Sequence, residues 1–144
     1  MQMDFEVIGE KSTVNIDLIK NMISFSIPKS YLKFIENYGF GVIWENIEYL
    51  NIVTPDKNFF ENNFKEDIDL WEWKDDLQKD KIHNNLLIAH TFDGEHIYCT
   101  ESSFMILPRF EIPIEFDTFN EVIQYYINAY NMVNTIKYKC HKGY

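Results

Sequence analysis

Apolar residues recur at helical spacing in two parts of the N-terminal region. The first run predicts a helix that Ser12 caps and that continues to about Ile23. The second run predicts a helix that begins at Pro28, which suits a first helical turn, and ends at Gly39. The expected buried stripes are Ile16, Ile19 and Ile23 in the first helix and Tyr31, Phe34, Ile35 and Tyr38 in the second.

A third helical pattern lies near the C-terminus. Thr118 and Glu121 have the spacing of a capping box, in which each residue bonds a free amide of the other. The apolar stripe that follows is Phe119, Val122, Ile123, Tyr126, Ile127 and Tyr130. If this helix continues far enough, Lys137, Lys139 and Lys142 complement the negative end of its dipole.

The middle of the chain is rich in residues that favour strands. Val42 to Val53 predicts one or two strands around Glu45-Asn46, and Thr54-Pro55-Asp56 predicts the start of a short helix that runs through Phe60. Further strands are predicted at Leu86 to Phe92, Glu95 to Thr100, Phe104 to Leu107 and Phe110 to Ile114. The order predicts one α+β domain over residues 1–144, with an antiparallel or mixed sheet of about five or six strands and helices on one face.

The dipeptide Asp93-Gly94 separates two of these strands and accepts the positive φ angles of a two-residue hairpin turn. Such a turn would pair Thr91 with His96 and His90 with Ile97. One face would then carry Leu86, Ile88, His90, Phe92, Ile97 and Cys99, and the other Ala89, Thr91, His96, Tyr98 and Thr100. His90 and His96 are therefore expected on opposite faces, where they cannot bind one metal ion.

Composition limits the function classes. The chain has 46% hydrophobic and 17% aromatic residues, enough for a core, and a formal net charge of -10. Such a charge repels phosphate backbones, so no nucleic-acid partner is expected, and no apolar run is long enough for a membrane span. The N-terminal residues Met1 to Glu6 lack the features of a secretory signal, so we expect a cytoplasmic protein with Cys99 and Cys140 as free thiols.

An acidic segment from Asp56 to Asp80 holds nine carboxylates against four lysines. Leu70, Trp73 and Leu77 have helical spacing and predict a surface helix over residues 66–79. Exposed tryptophans among carboxylates can anchor a basic partner, although such a charge run is as often only a solvated face. The candidate partner-binding residues are Trp44, Glu66, Asp67, Asp69, Trp71, Glu72, Trp73, Asp75 and Asp76.

No recognisable catalytic, metal or nucleotide motif is present, so neither a cofactor nor a metal ion is expected. Gly39-Phe40-Gly41 follows a helix, whereas glycine-rich phosphate loops precede one. One alternative from another class stays open, a small hydrolase or metal enzyme that uses His90 and Cys99. A reactive Cys99 would need an electropositive setting, and this acidic chain disfavours one.

Three pieces of the chain together resemble the SUKH superfamily, which includes the fungal Smi/Knr glucan-synthesis regulator and many bacterial immunity proteins. They are Ile27-Pro28 with the aromatic helix that stops at Gly39, the Asp93-Gly94 turn, and Thr118-Phe119 at the last helix. The resemblance implies an α+β fold, a binding role and no catalytic residues. With the acidic charge, it predicts a non-enzymatic immunity protein that neutralises a basic toxin domain such as a nuclease. The alternative within the binding class is a regulator of cell-wall (glucan) synthesis or of signalling.

Overall fold

In the computed structural model, which describes residues 5–44, 48–129 and 136–141, one eight-stranded mixed sheet carries helices on both faces. The strands are β1 Phe5–Ile8, β2 Gly41–Trp44, β3 Glu48–Asp56, β4 Asn85–Thr91, β5 His96–Thr100, β6 Phe104–Leu107, β7 Ile114–Phe116 and β8 Ile136–Cys140. The α-helices are α1 Ile16–Lys20, α2 Lys29–Tyr38, α3 Phe59–Phe64, α4 Asp76–Lys81 and α5 Phe119–Ala129, and a 3₁₀ helix, Lys65–Leu70, follows α3. The α+β class is confirmed, but the sheet has more strands than expected.

The two ends of the described chain meet inside the sheet. The strand order is β1-β8-β2-β3-β4-β5-β6-β7, and only the β1–β8 pair is parallel. Lys137 and Lys139 lie in β8, so the condition for their complementing the dipole of the last helix is not met, and Lys142 lies outside the described residues. Residues 136–140 form a strand because their burial alternates. Tyr138 and Cys140 point into the core, and Lys139 between them is exposed.

The first face of the sheet, defined by Leu50, Ile97 and Phe104, packs against α1, α2 and α5. Helix α2 begins one residue later than predicted, with Pro28 as its N-cap, and it ends before Gly39, whose φ of 70° suits glycine. The capping box of α5 forms as predicted, since Thr118 and Glu121 bond each other's backbone amides. Tyr130, the last residue of its predicted stripe, lies outside the described residues.

Helix α1 is shorter than predicted. It begins after Asn15, whose Oδ1 accepts a hydrogen bond from the Leu18 amide, so Asn15 and not Ser12 is the cap. Only Ile19 of its three expected core residues is fully buried, while Ile16 and Ile23 pack against the core from its margin.

The second face of the sheet, defined by Leu87, Tyr98 and Met105, packs against α3, the 3₁₀ helix and the segment through α4. The prediction of helices on one face only was therefore wrong. Helix α3 begins at Phe59 because residues 54–56 continue β3 instead of capping a helix. The helix expected over residues 66–79 is split in two, because the chain leaves its 3₁₀ course at Trp71 to bury that ring.

The remaining strand predictions are mixed. Val42 to Val53 forms two antiparallel strands, with Glu45-Asn46 and Ile47 outside the described residues. The strand expected at 110–114 occurs instead at Ile114–Phe116. The longest described helix, α5, has 11 residues, and none in the described part of the chain is long and apolar enough to cross a bilayer.

Candidate functional site

The β4–β5 hairpin turns at Asp93-Gly94, but in another register from the one predicted. Thr91 pairs with Glu95 around a three-residue loop, with Gly94 at a φ of 86°. The Thr91 carbonyl accepts the Gly94 amide, while the Thr91 hydroxyl accepts the Glu95 amide at 3.1 Å. The hydrogen bond of the threonine side chain thus stabilises a three-residue loop, one residue longer than the Asp93-Gly94 dipeptide predicts. Phe92 belongs to this loop and is exposed to solvent.

This register reverses the predicted relation of the histidines. His90 lies directly opposite His96, so both project from the second face. Cys99 lies opposite Leu86 and belongs to the first face. The expectation that His90 and Cys99 share a face was therefore wrong, and an enzyme site built from that pair has no geometric basis.

The two thiols are buried and poor nucleophiles. Burial raises the pKa of Cys99 to about 12 and also raises the pKa of Cys140, so each holds its proton at neutral pH. His90 and His96 have no third ligand, since no three histidine, cysteine or carboxylate side chains in the described part of the chain are placed around a metal position.

Asn51 in β3 contacts two histidines through its side chain, His90 in β4 and His141 just after β8. Its side-chain amide lies 3.4 Å from Nε2 of His90, and its Oδ1 bonds Nε2 of His141. Tyr49, Asn51, His90, Thr91 and Phe92 line an open cavity of about 240 Å³, here named the hairpin pocket. Phe92 at its rim is 77% exposed. Sequence reasoning missed this pocket, and its one visible signal was a large aromatic residue beside a turn dipeptide.

The acidic layer, residues 65–80, covers the part of the second face formed by β4, β5 and β6. Its carboxylates Glu66, Asp69, Glu72, Asp75 and Asp76 are exposed, and Asp67 is half-buried. Asp69 pairs with Lys79, and Asp75 caps α4 by accepting the Gln78 amide at 2.8 Å. Within the described ranges, Glu66, Asp67, Glu72 and Asp76 have no cationic group at ion-pair distance. The layer therefore presents uncompensated negative charge.

The tryptophans of this layer hold it to the sheet. Trp71 is 5% exposed, and its Nε1 donates to the Pro108 carbonyl at 2.7 Å. Trp73 is half-buried and donates to the Ile68 carbonyl. The expectation that both rings face solvent was wrong for Trp71. The burial of Trp71 could not be predicted from the sequence, because this residue lies in the middle of a charged segment.

Trp44 lies on the same side of the sheet as the acidic layer. Val42 is opposite Asn51, Asn51 is opposite His90, and Trp44 is two residues beyond Val42 in β2. All four side chains therefore project from the second face.

His96 also lies on the second face, where it contacts Phe59 of α3, with ring centroids 5.1 Å apart. Neither buried core includes a described second-face residue of β1, β8 or β2, although Val42 there is only 4% exposed, and we name this part of the second face the bare half. Acidic layer, hairpin pocket and bare half thus form one continuous side of the molecule.

His96 makes stability depend on pH. Burial, and secondarily the nearby His90, lower the pKa of His96 to about 4, below the value of about 6.5 for an unfolded histidine. The unfolded chain therefore binds a proton between these values that the folded chain rejects, and stability is lost as pH falls from 6.5 to 4. Allowing for partial solvent contact, we expect wild type to lose about 1 kcal/mol relative to His96→Gln between pH 7 and 5. Urea denaturation at each pH measures this difference.

The matched control is His83→Gln, which replaces an exposed histidine after α4. The change in unfolding free energy between pH 7 and 5 should differ from that of wild type more for His96→Gln than for His83→Gln. If the curves of wild type and His96→Gln run parallel, His96 does not resist protonation in the folded state.

Comparisons of the chain with models of protein families, with functionally characterised proteins and with solved structures each found no match.

Proposed function

We propose that this chain is a non-enzymatic protein-binding domain of the immunity type, which neutralises a basic toxin domain such as a nuclease in the cytoplasm. The observation that carries the proposal is the position of the acidic layer beside the bare half on one side of the sheet. A nuclease must present positive charge where it grips phosphate, so an acidic surface complements that region and competes with its substrate. The resemblance to the SUKH superfamily supports the same reading.

The acidic layer is held in a fixed position against the sheet. Besides the Trp71 bond to Pro108, the Glu72 amide donates to the Glu111 carbonyl at 3.3 Å, and the Gln78 side chain donates to the Pro113 carbonyl at 3.4 Å. A preorganised surface loses little conformational entropy on binding. Its charges therefore steer association as a rigid array.

Charge reversal tests the proposal. The chain serves as bait, a retained protein is identified by mass spectrometry, and co-expression must relieve that protein's toxicity. The quartet Glu66→Lys, Asp67→Lys, Asp69→Lys and Glu72→Lys changes the net charge from -10 to -2. At low salt we expect its association rate with the identified partner to fall about tenfold or more, with a smaller change in dissociation, because long-range attraction acts mainly on encounter. Surface plasmon resonance at several salt concentrations measures both rates.

The control quartet is Glu10→Lys, Glu36→Lys, Glu101→Lys and Asp117→Lys, which changes net charge equally at exposed positions outside the acidic layer. It should slow association by no more than about threefold. Equal slowing by both quartets would remove the acidic layer from the proposal. A captured partner that is itself acidic, or turnover of a small molecule, would overturn the proposed function.

A further inference from the structure

The hairpin pocket lies on β3 and β4, between the acidic layer and the bare half of the sheet. His90 is on its floor, and its cross-strand partner His96 contacts Phe59 and Phe64 of α3. A protein bound on this side of the molecule therefore passes over the pocket.

The exposed wall of the pocket is aromatic. Phe92 projects from the hairpin loop with 77% of its surface exposed, whereas half-buried Tyr49 packs against the core of the first face. An exposed phenylalanine in a charged chain gains no burial from its own fold, whereas a partner side chain that covers it removes apolar surface from water. Aromatic faces also attract cations through the negative charge at the ring centre.

The floor of the pocket is polar, fixed and uncharged at neutral pH. Asn51 is oriented by His141 on one side and by His90 on the other. Burial lowers the pKa of His90, while a hydrogen bond to the Thr91 backbone opposes part of that shift. None of the residues that line the pocket is a lysine or an arginine. The Asn51 carbonyl oxygen keeps a second lone pair beside its bond to His141, so the floor offers an acceptor without positive charge.

We propose that the hairpin pocket receives one arginine side chain of the protein partner. The guanidinium plane stacks on the exposed ring of Phe92, and one of its N–H groups donates to the side-chain carbonyl oxygen of Asn51. This inference rests on the proposed function, since it assigns the basic partner one contact on the same side of the molecule. It identifies the pocket as the anchor, and the acidic layer as the surface that guides the partner towards it.

Arginine fits this arrangement better than the other candidates. A lysine ammonium is a compact, strongly hydrated charge that cannot stack as a plane. An aromatic side chain would cover Phe92 but would leave the Asn51 acceptor without a donor, unless its indole N–H reached that far. A carboxylate would meet the net charge of -10.

The test uses the isolated chain and three small probes, so it needs no identified partner. N-acetyl-arginine amide, N-acetyl-lysine amide and N-acetyl-tryptophan amide are titrated into ¹⁵N-labelled protein, and two-dimensional NMR follows the amide signals. We expect the arginine probe to shift the Asn51 side-chain amide and the backbone amides of residues 90–92. It should bind at least about fivefold more tightly than the lysine probe.

Two exposed apolar residues provide the variant and its control. Phe92→Ser should weaken the arginine probe about fivefold or more, while Leu18→Ser, at a position 64% exposed on α1, should leave it unchanged. Equal or tighter binding of the lysine or tryptophan probe overturns the assignment of arginine. Shifts confined to residues 66–76, or unaffected by Phe92→Ser, overturn the assignment of the pocket. These results are independent of the charge-reversal experiment, because a partner can remain salt-sensitive while the arginine probe fails.

Discussion

Gly41→Ala is expected to lower the free energy of unfolding by about 3 kcal/mol. A Cβ atom at this position would lie 2.5 Å from the backbone oxygen of Lys139 and 2.8 Å from the ring of Tyr138. Strands β2 and β8 approach each other here across Gly41 and Cys140. The methyl group thus forces the two strands apart, and chemical denaturation followed by circular dichroism measures the loss.

The neighbouring side chain has little freedom to yield. Tyr138 is fully buried, its hydroxyl donates to the Gly39 carbonyl at 2.6 Å, and its ring contacts those of Phe34 and Phe5. Moving the ring would break that bond and disturb these aromatic contacts. The cost should therefore exceed that of an ordinary glycine-to-alanine change.

Gly94→Ala separates lack of space from backbone conformation. Gly94 has a φ of 86° but no atom within 4 Å of an added Cβ, so the change should cost only about 1 kcal/mol of left-handed strain. A loss at Gly41 no larger than the loss at Gly94 would show that β2 and β8 are not so closely apposed.

Trp71→Ala is expected to cost about 4 kcal/mol of stability. The indole packs against Phe60, Phe64 and Phe110, with ring centroids 6.1, 5.6 and 5.0 Å away, and it is the largest side chain in the core of the second face. Truncation leaves a cavity beneath the acidic layer and an unpaired carbonyl at Pro108. Denaturation midpoints measure the loss, and hydrogen exchange of residues 65–75 should accelerate.

Trp71→Phe is the matched variant. It keeps an aromatic ring in the site but removes the N–H donor, so it should cost about 1–3 kcal/mol, less than the alanine change. If Trp71 were instead a surface anchor for the partner, Trp71→Ala would leave stability unchanged and reduce binding alone. That result would contradict its burial in this structure.

Local sequence determined those helix ends at which the capping residues are close together in the chain. Helix α2 begins directly after Pro28, which is its N-cap, and glycine closes its last turn. The α5 start follows from Thr118 and Glu121, whose mutual bonds depend only on residues three apart. The α+β class and the position of the β4–β5 turn also followed from local patterns.

Tertiary structure alone decided the register of the β4–β5 hairpin and the face of the sheet to which each side chain points. The Asp93-Gly94 pattern located the turn, but the Thr91 hydroxyl set the loop at three residues. A shift of one residue exchanges the faces of a strand, so it moved His90 next to His96 and away from Cys99. No local pattern reveals such a shift, because both registers satisfy the same turn residues.

The candidate site shows the same division. Its acidic residues were visible in the sequence, because charge is a property of composition. Only the folded chain placed Trp71 in the core and brought Asn51, His90 and His141 together from three separated strands or strand ends. The sequence alone thus determined the charge, the end of α2 at Gly39 and the start of α5. Packing between distant segments decided which side chains remain on the surface to meet a partner, because burial depends on contacts that no short stretch of chain contains.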